Sequence, residues 1–249
     1  MRHWLETTVL PAVLMAALLL LLLWPTRRGG RRLLRTWGIP EPRDDQVGVA
    51  VRYLWQRRLL YVVLIVALPS LAGLADGLPG AGIVVSLLVA MLVAELVATL
   101  RPVSGIRSAS LDRRTWRDLV PRWAVRTFAA ALLVTAVAAA VSGTWLALAH
   151  VAACPVAVGG LVALAVRRPS AADEAVDAAL RTRTARVAVG IGLGWTGFAF
   201  TGVTDRFRVH VTGRLLDAVD ITTFAVVVMS IVCWLWVAMP SRRSLATAT

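Results

Sequence analysis

The chain has 249 residues, of which 58% are hydrophobic and 16% charged, and its mean hydropathy is +0.73. A soluble domain carries about 25% charged residues, and a water-soluble chain of this size has no means of covering so much apolar surface. The composition therefore excludes a soluble globular protein and predicts an all-α polytopic membrane protein.

The formal net charge is +13, and all 27 basic residues are arginine. Lysine and asparagine are both absent, a pattern that GC-rich coding bias produces and that points to a high-GC bacterium. Without lysine there is no retinal or pyridoxal Schiff base and no P-loop lysine. Without asparagine there is no N-glycosylation acceptor. Cys154 and Cys233 both fall inside apolar stretches, which reads as two reduced, buried thiols rather than a disulfide framework.

A membrane-crossing helix takes about 20 apolar residues. Seven stretches qualify: 5–24, 59–76, 83–100, 124–141, 145–166, 187–203 and 221–239. Together they make residues 1–249 one transmembrane helical domain. The first contains the run Leu18 to Leu23 and passes through Trp24-Pro25 into Arg27, Arg28, Arg31 and Arg32. No small-residue cleavage site precedes those arginines, so the segment reads as an uncleaved anchor rather than a signal peptide.

Between the first and second spans, residues 42–58 place Val47, Val51, Leu54 and Trp55 at helical spacing after Pro42 and the acidic pair Asp44-Asp45. This predicts a helix that continues into the second span. Residues 110–120 set Leu111, Trp116, Leu119 and Val120 opposite Arg113, Arg114 and Arg117, the pattern of an interfacial helix. The apolar stretch 124–166 would measure about 64 Å as one helix, too long for one crossing. Ser142-Gly143-Thr144 is its best turn signal, and a break near His150 is the alternative. Residues 171–186 follow Ser170 as an expected N-cap, with acids early and arginines late.

Orientation follows from the arginines. With the N-terminus outside and the C-terminus cytoplasmic, every arginine except Arg2, Arg206, Arg208 and Arg214 falls on a cytoplasmic segment. Cytoplasmic enrichment of basic residues is the main orientation determinant. Trp4, Trp24, Trp55, Trp123, Trp145 and Trp236 lie near span ends, where an amphipathic ring favours the headgroup level.

Four groups of residues carry candidate chemistry. Glu95 is the one acid well inside a span, and an intramembrane ionisable residue is a functional candidate by default. Arg126, at the start of the fourth span, is its expected partner by depth. Gly190, Gly194 and Gly197 in the sixth span allow close helix packing, within the chain, in a homo-oligomer, or against a protein partner. Arg206, Arg208, His210 and Arg214 form a polar extracytoplasmic cluster, whose alternation with Phe207, Val209 and Val211 allows a short strand or an interfacial helix. The inner arginines suit anionic lipid headgroups better than nucleic acid. No spacing of His3, His150 and His210 implies a metal, and no cofactor motif is present.

The sequence also lacks H-E-x-x-H and G-x-S-x-G enzyme signatures. Polar groups within the spans are few, whereas transporters of polar solutes show more of them or broken helices. The expected function is a non-catalytic component of a transport or signalling assembly in the cell membrane. A stand-alone transporter of a small or apolar substrate and a lipid-modifying membrane enzyme are the alternatives.

Overall fold

A computed structural model describes residues 24–72, 82–100, 115–167 and 173–239. The expected first span lies outside these residues except for Trp24. So do residues 73–76 of the second span, the interfacial stretch before Thr115, and Ser170. Among the described residues the regular structure is helical throughout.

Helix α1 (Arg27–Thr36) was not expected from the sequence. Thr26 caps it by accepting from the Gly29 amide at 3.1 Å. Leu34 is buried against Val47 and Ala50 of the next helix. Gly30 permits that approach: a Cβ there would stand 2.8 Å from Val51 Cγ2.

Helix α2 (Asp44–Ala72) runs for 29 residues without interruption, so the expected cytoplasmic helix and second span are one rod. The Arg43 amide donates to Gln46 Oε1 at 2.9 Å at its start. Helix α3 (Gly82–Leu100) packs beside it. The interfacial stretch contributes one described turn, α4 (Trp116–Leu119), closed by the Thr115 amide and hydroxyl, which both donate to Asp118 Oδ2.

Helices α5 (Arg122–Val141) and α6 (Trp145–Arg167) meet at Ser142-Gly143-Thr144, and His150 lies within α6. The Gly143 amide donates to Ala140 O and the Thr144 amide to Ala139 O, with Gly143 at φ +66°. This pairing is a Schellman closure, and its left-handed position suits glycine.

Helix α7 (Glu174–Arg208) joins the expected cytoplasmic helix and sixth span in 35 continuous residues. Its N-cap is Asp173, which accepts from the Val176 amide at 3.1 Å; this corrects the expectation of Ser170. Helix α8 (Arg214–Ala238) completes the described bundle.

Four of these helices are long and apolar enough to cross a membrane: α5, α6, α7 and α8. Helix α7 is their axis. It touches α3, α5, α6 and α8, and from Arg186 to Gly197 every residue is buried. The surrounding helices point large apolar side chains outward, including Leu133, Val156, Phe224 and Trp236, each at least 66% exposed. An apolar outer face of this extent suits hydrocarbon rather than water.

The contacts sort the helix ends onto two poles. The Ser142–Thr144 turn joins the end of α5 to the start of α6. Arg208 bonds Asp220 at 2.7 Å, setting the end of α7 beside the start of α8. At the other pole, the Trp123 and Trp236 rings meet edge-on, 6.5 Å apart, and Arg181 reaches Ala165 O near the end of α6 at 3.3 Å. Among the described arginines, Arg206, Arg208 and Arg214 stand at the first pole and the rest toward the second.

Candidate functional site

Glu95 lies in the C-terminal half of α3 and has no solvent exposure. A lone carboxylate in such a place is costly unless paired and hydrogen-bonded. Here Arg57 Nε of α2 meets Glu95 Oε1. Tyr53, one turn earlier on α2, donates its O–H to Glu95 Oε2 at 3.4 Å. The Tyr53 oxygen also lies 3.3 Å from Thr184 Oγ1 of α7 and accepts from Arg183 Nη1 at 3.0 Å. The Arg183 guanidinium sits over the Tyr53 ring, 5.4 Å from its centre. One buried polar node therefore ties α2, α3 and α7.

Arg126 is not the partner of Glu95. It is exposed on α5, whereas α2 passes directly beside the last turns of α3. Depth alone suggested Arg126; the missed signal was the i,i+4 pair Tyr53 and Arg57 on an uninterrupted α2.

The arginines of α7 fan toward different neighbours. Arg181 forms a buried pair with Asp177, its Nε donating at 2.6 Å, and a further N–H reaches Ala165 O of α6. An arginine on the carbonyl end of a helix is favourable both as a cap and by charge. Arg183 engages Tyr53 of α2. Arg186 donates to Leu119 O of α4 at 3.4 Å and lies over the Trp37 ring at 5.6 Å. The acid-early, arginine-late order noted in the sequence suits the helix dipole, yet these arginines also lock three other helices and Trp37 onto α7.

At the start of α7, Asp173 accepts from Gln46 Nε2 at 2.6 Å and lies 3.4 Å from Arg43 Nη2. Burial pushes its carboxyl up, but the bonds from Gln46 and Val176 and the charge of Arg43 outweigh this and hold it below the ordinary value.

The glycines of the sixth expected span face their own chain. A Cβ on Gly190 would collide with Trp234, and one on Gly197 with Ser230, both on α8. One on Gly194 would stand 3.2 Å from Trp234 Cε3. Gly192 faces the other way, toward Phe128 and Val158 at 2.8 Å.

The polar cluster at the opposite pole is not a strand. Arg206 and Arg208 end α7, and His210 follows in a turn. Arg208 is held by Asp205 at 3.0 Å and by Asp220. His210 Nδ1 lies 2.9 Å from Arg206 O, and Arg214 opens α8, exposed. No group of three metal-ligating side chains converges among the described residues.

An apolar cavity of about 510 Å³ opens between α5 and α6 over α7, lined by Phe128, Pro155, Val158, Val162 and Val189, with Arg167 and Thr115 at one end. Compared with family models, curated proteins and solved structures, the chain matches none.

Proposed function

We propose that the chain is a seven-span domain of the cell membrane, N-terminus outside and C-terminus cytoplasmic, acting as a non-catalytic component of a transport or signalling assembly. The observation that carries this reading is the commitment of Glu95. The intramembrane acid is sealed from solvent and engaged by Arg57 and Tyr53, so it serves to hold helices together rather than to meet a solute. The orientation rests on the two poles: arginine crowds one, and that pole suits the cytoplasmic leaflet.

The test is affinity purification of the tagged full-length protein in mild detergent, followed by mass spectrometry of whatever accompanies it. Reproducible recovery of an ATPase or a receptor subunit supports the reading, and recovery of this chain alone counts against it. The apolar cavity beside Pro155 favours a second reading, a stand-alone transporter of a small apolar substrate. Substrate uptake by vesicles containing only this protein would decide for it.

A further inference from the structure

We propose that Arg58 and Arg183 form a binding site for a phosphate-type anion where α2 passes α7. The assignment is independent of the assembly reading: it concerns what this notch takes up, whichever partner the protein has.

The notch carries a local charge imbalance. Arg57 and Arg58 follow one another on α2, Arg183 of α7 bonds Tyr53 one turn before them, and Arg58 lies in the field of both other arginines. Among the described groups bonded in the notch, Glu95 supplies the negative charge, and it is already engaged by Arg57 and Tyr53. Arg183 gives one N–H to Tyr53 and rests on its ring. Arg58 Nη1 is buried and has no hydrogen-bond partner.

Both features raise the energy of the empty notch. Like charges repel more strongly as the local dielectric falls, and a buried donor left unsatisfied forfeits its hydration. A single oxyanion relieves both, because it neutralises positive charge and accepts from the guanidinium forks. Phosphate suits planar, forked donors in a way that a monovalent halide does not.

The notch is also built to persist and to be reached. Glu95 pins Arg57, and the Tyr53 ring and hydroxyl steady Arg183, so the site is largely formed before a ligand arrives. Tyr53, Arg58 and Arg183 are each half-buried rather than sealed. A lipid headgroup and a soluble phosphate compound share the required chemistry, and the experiment separates them.

The full-length protein is placed in phosphatidylcholine nanodiscs, and its thermal midpoint is followed by tryptophan fluorescence. One arm is titrated with inorganic phosphate. In the other, phosphatidic acid replaces part of the phosphatidylcholine. The proposal expects a saturable rise in midpoint in at least one arm. A response to inorganic phosphate assigns the site to soluble phosphates, and a response to phosphatidic acid alone assigns it to lipid headgroups.

Arg58→Gln is expected to weaken the apparent affinity by about tenfold or more while leaving the ligand-free midpoint equal or higher, since repulsion in the empty notch falls. Arg58→Lys keeps the charge and loses the fork, so its affinity should drop less than that of Arg58→Gln but remain below that of the unaltered protein. Arg52→Gln, at an exposed position on the same helix, should bind as the unaltered protein does. The absence of a saturable response in both arms overturns the proposal. So does an Arg52→Gln loss as large as that of Arg58→Gln, which marks diffuse attraction. If Arg58→Gln does not fold, Arg58→Lys decides: undiminished affinity overturns the site.

Discussion

Arg57 on α2 and Glu95 on α3 form an ion pair whose side chains are 8% and 0% exposed. Breaking a buried pair by removing one partner costs about 3–5 kcal/mol, because the remaining charge is left uncompensated. The two halves of this pair are not equivalent. Without Arg57, Glu95 keeps the Tyr53 hydroxyl, which Arg183 in turn engages. Without Glu95, Arg57 loses its carboxylate while Arg58 and Arg183 keep their positive charge nearby. Glu95→Gln should therefore lower the thermal midpoint in detergent more than Arg57→Gln does, and Arg57→Leu combined with Glu95→Leu should recover much of the loss. Equal midpoints for the two single variants would contradict this ordering. A folded Glu95→Gln protein of unchanged stability would return Glu95 to the role of a reactive group.

The glycines of α7 provide a graded test of the bundle. Gly190 and Gly197 lie hard against Trp234 and Ser230, so alanine at either position must push α8 away. Gly194 has more room, at 3.2 Å from Trp234. Overpacking a filled interior costs about 1–3 kcal/mol, so Gly190→Ala and Gly197→Ala should destabilise clearly and Gly194→Ala less. A Cβ on Gly48 of α2 meets nothing within 4 Å, and alanine there should stabilise by about 1 kcal/mol through helix propensity. Thermal midpoints of the four variants check the order, and a Gly197→Ala protein as stable as the parent would count against the α7–α8 packing.

Much of this bundle was legible in the sequence because its signals are local. The apolar stretches at 83–100, 124–141 and 145–166 each recur as a helix with nearly the same bounds, and 221–239 recurs in a helix that starts two turns earlier, at Arg214. Ser142-Gly143-Thr144 marked its turn because a left-handed glycine closes a helix end. The continuity of α2 and α7 through the expected membrane boundary was half visible: the sequence foresaw the first and split the second, since a charge step marks a change of solvent and not a break in backbone hydrogen bonding. The site itself was less legible. Glu95 stood out as a buried acid, but its partner depended on which helix passes beside α3, and that is set by long-range packing. Arg181, Arg183 and Arg186 read as a helix-dipole pattern because one strand of sequence does not reveal which neighbour each will reach.

Asp173 gives the start of α7 a dependence on acid. Its folded carboxyl is held below the ordinary value by Gln46, the Val176 amide and Arg43, against the opposing effect of burial. A depressed carboxylate stabilises the fold above its unfolded value, near pH 4, and that contribution fades as pH falls through the folded value. Acidification below about pH 4 should therefore loosen the contact between α2 and α7 at Gln46. Protection of the Val47 and Val176 amides, taken relative to the intrinsic exchange rate at each pH, should fall there in the parent. In Asp173→Asn the exchange should be faster at neutral pH and respond less to acid. An acid response of the same size in both proteins would assign it to other carboxyl groups.

The two poles make a prediction about sidedness that uses only surface positions. Trp145 begins α6 and Val209 follows α7, both 82% exposed at the arginine-poor pole. Arg52 is exposed on α2 toward the arginine-rich pole. Cys154 and Cys233 are first replaced by alanine, and single cysteines are introduced at 145, 209 and 52. With the arginine-rich pole inside, a membrane-impermeant maleimide added to intact cells should label Trp145→Cys and Val209→Cys promptly and Arg52→Cys only after lysis. The opposite pattern would invert the molecule without disturbing the bundle. Labelling of Trp145→Cys and Val209→Cys from different sides would break the bundle itself, because Ala147 near the start of α6 packs with Val203 and Phe207 near the end of α7, and the Arg208–Asp220 bond holds the start of α8 at the same face.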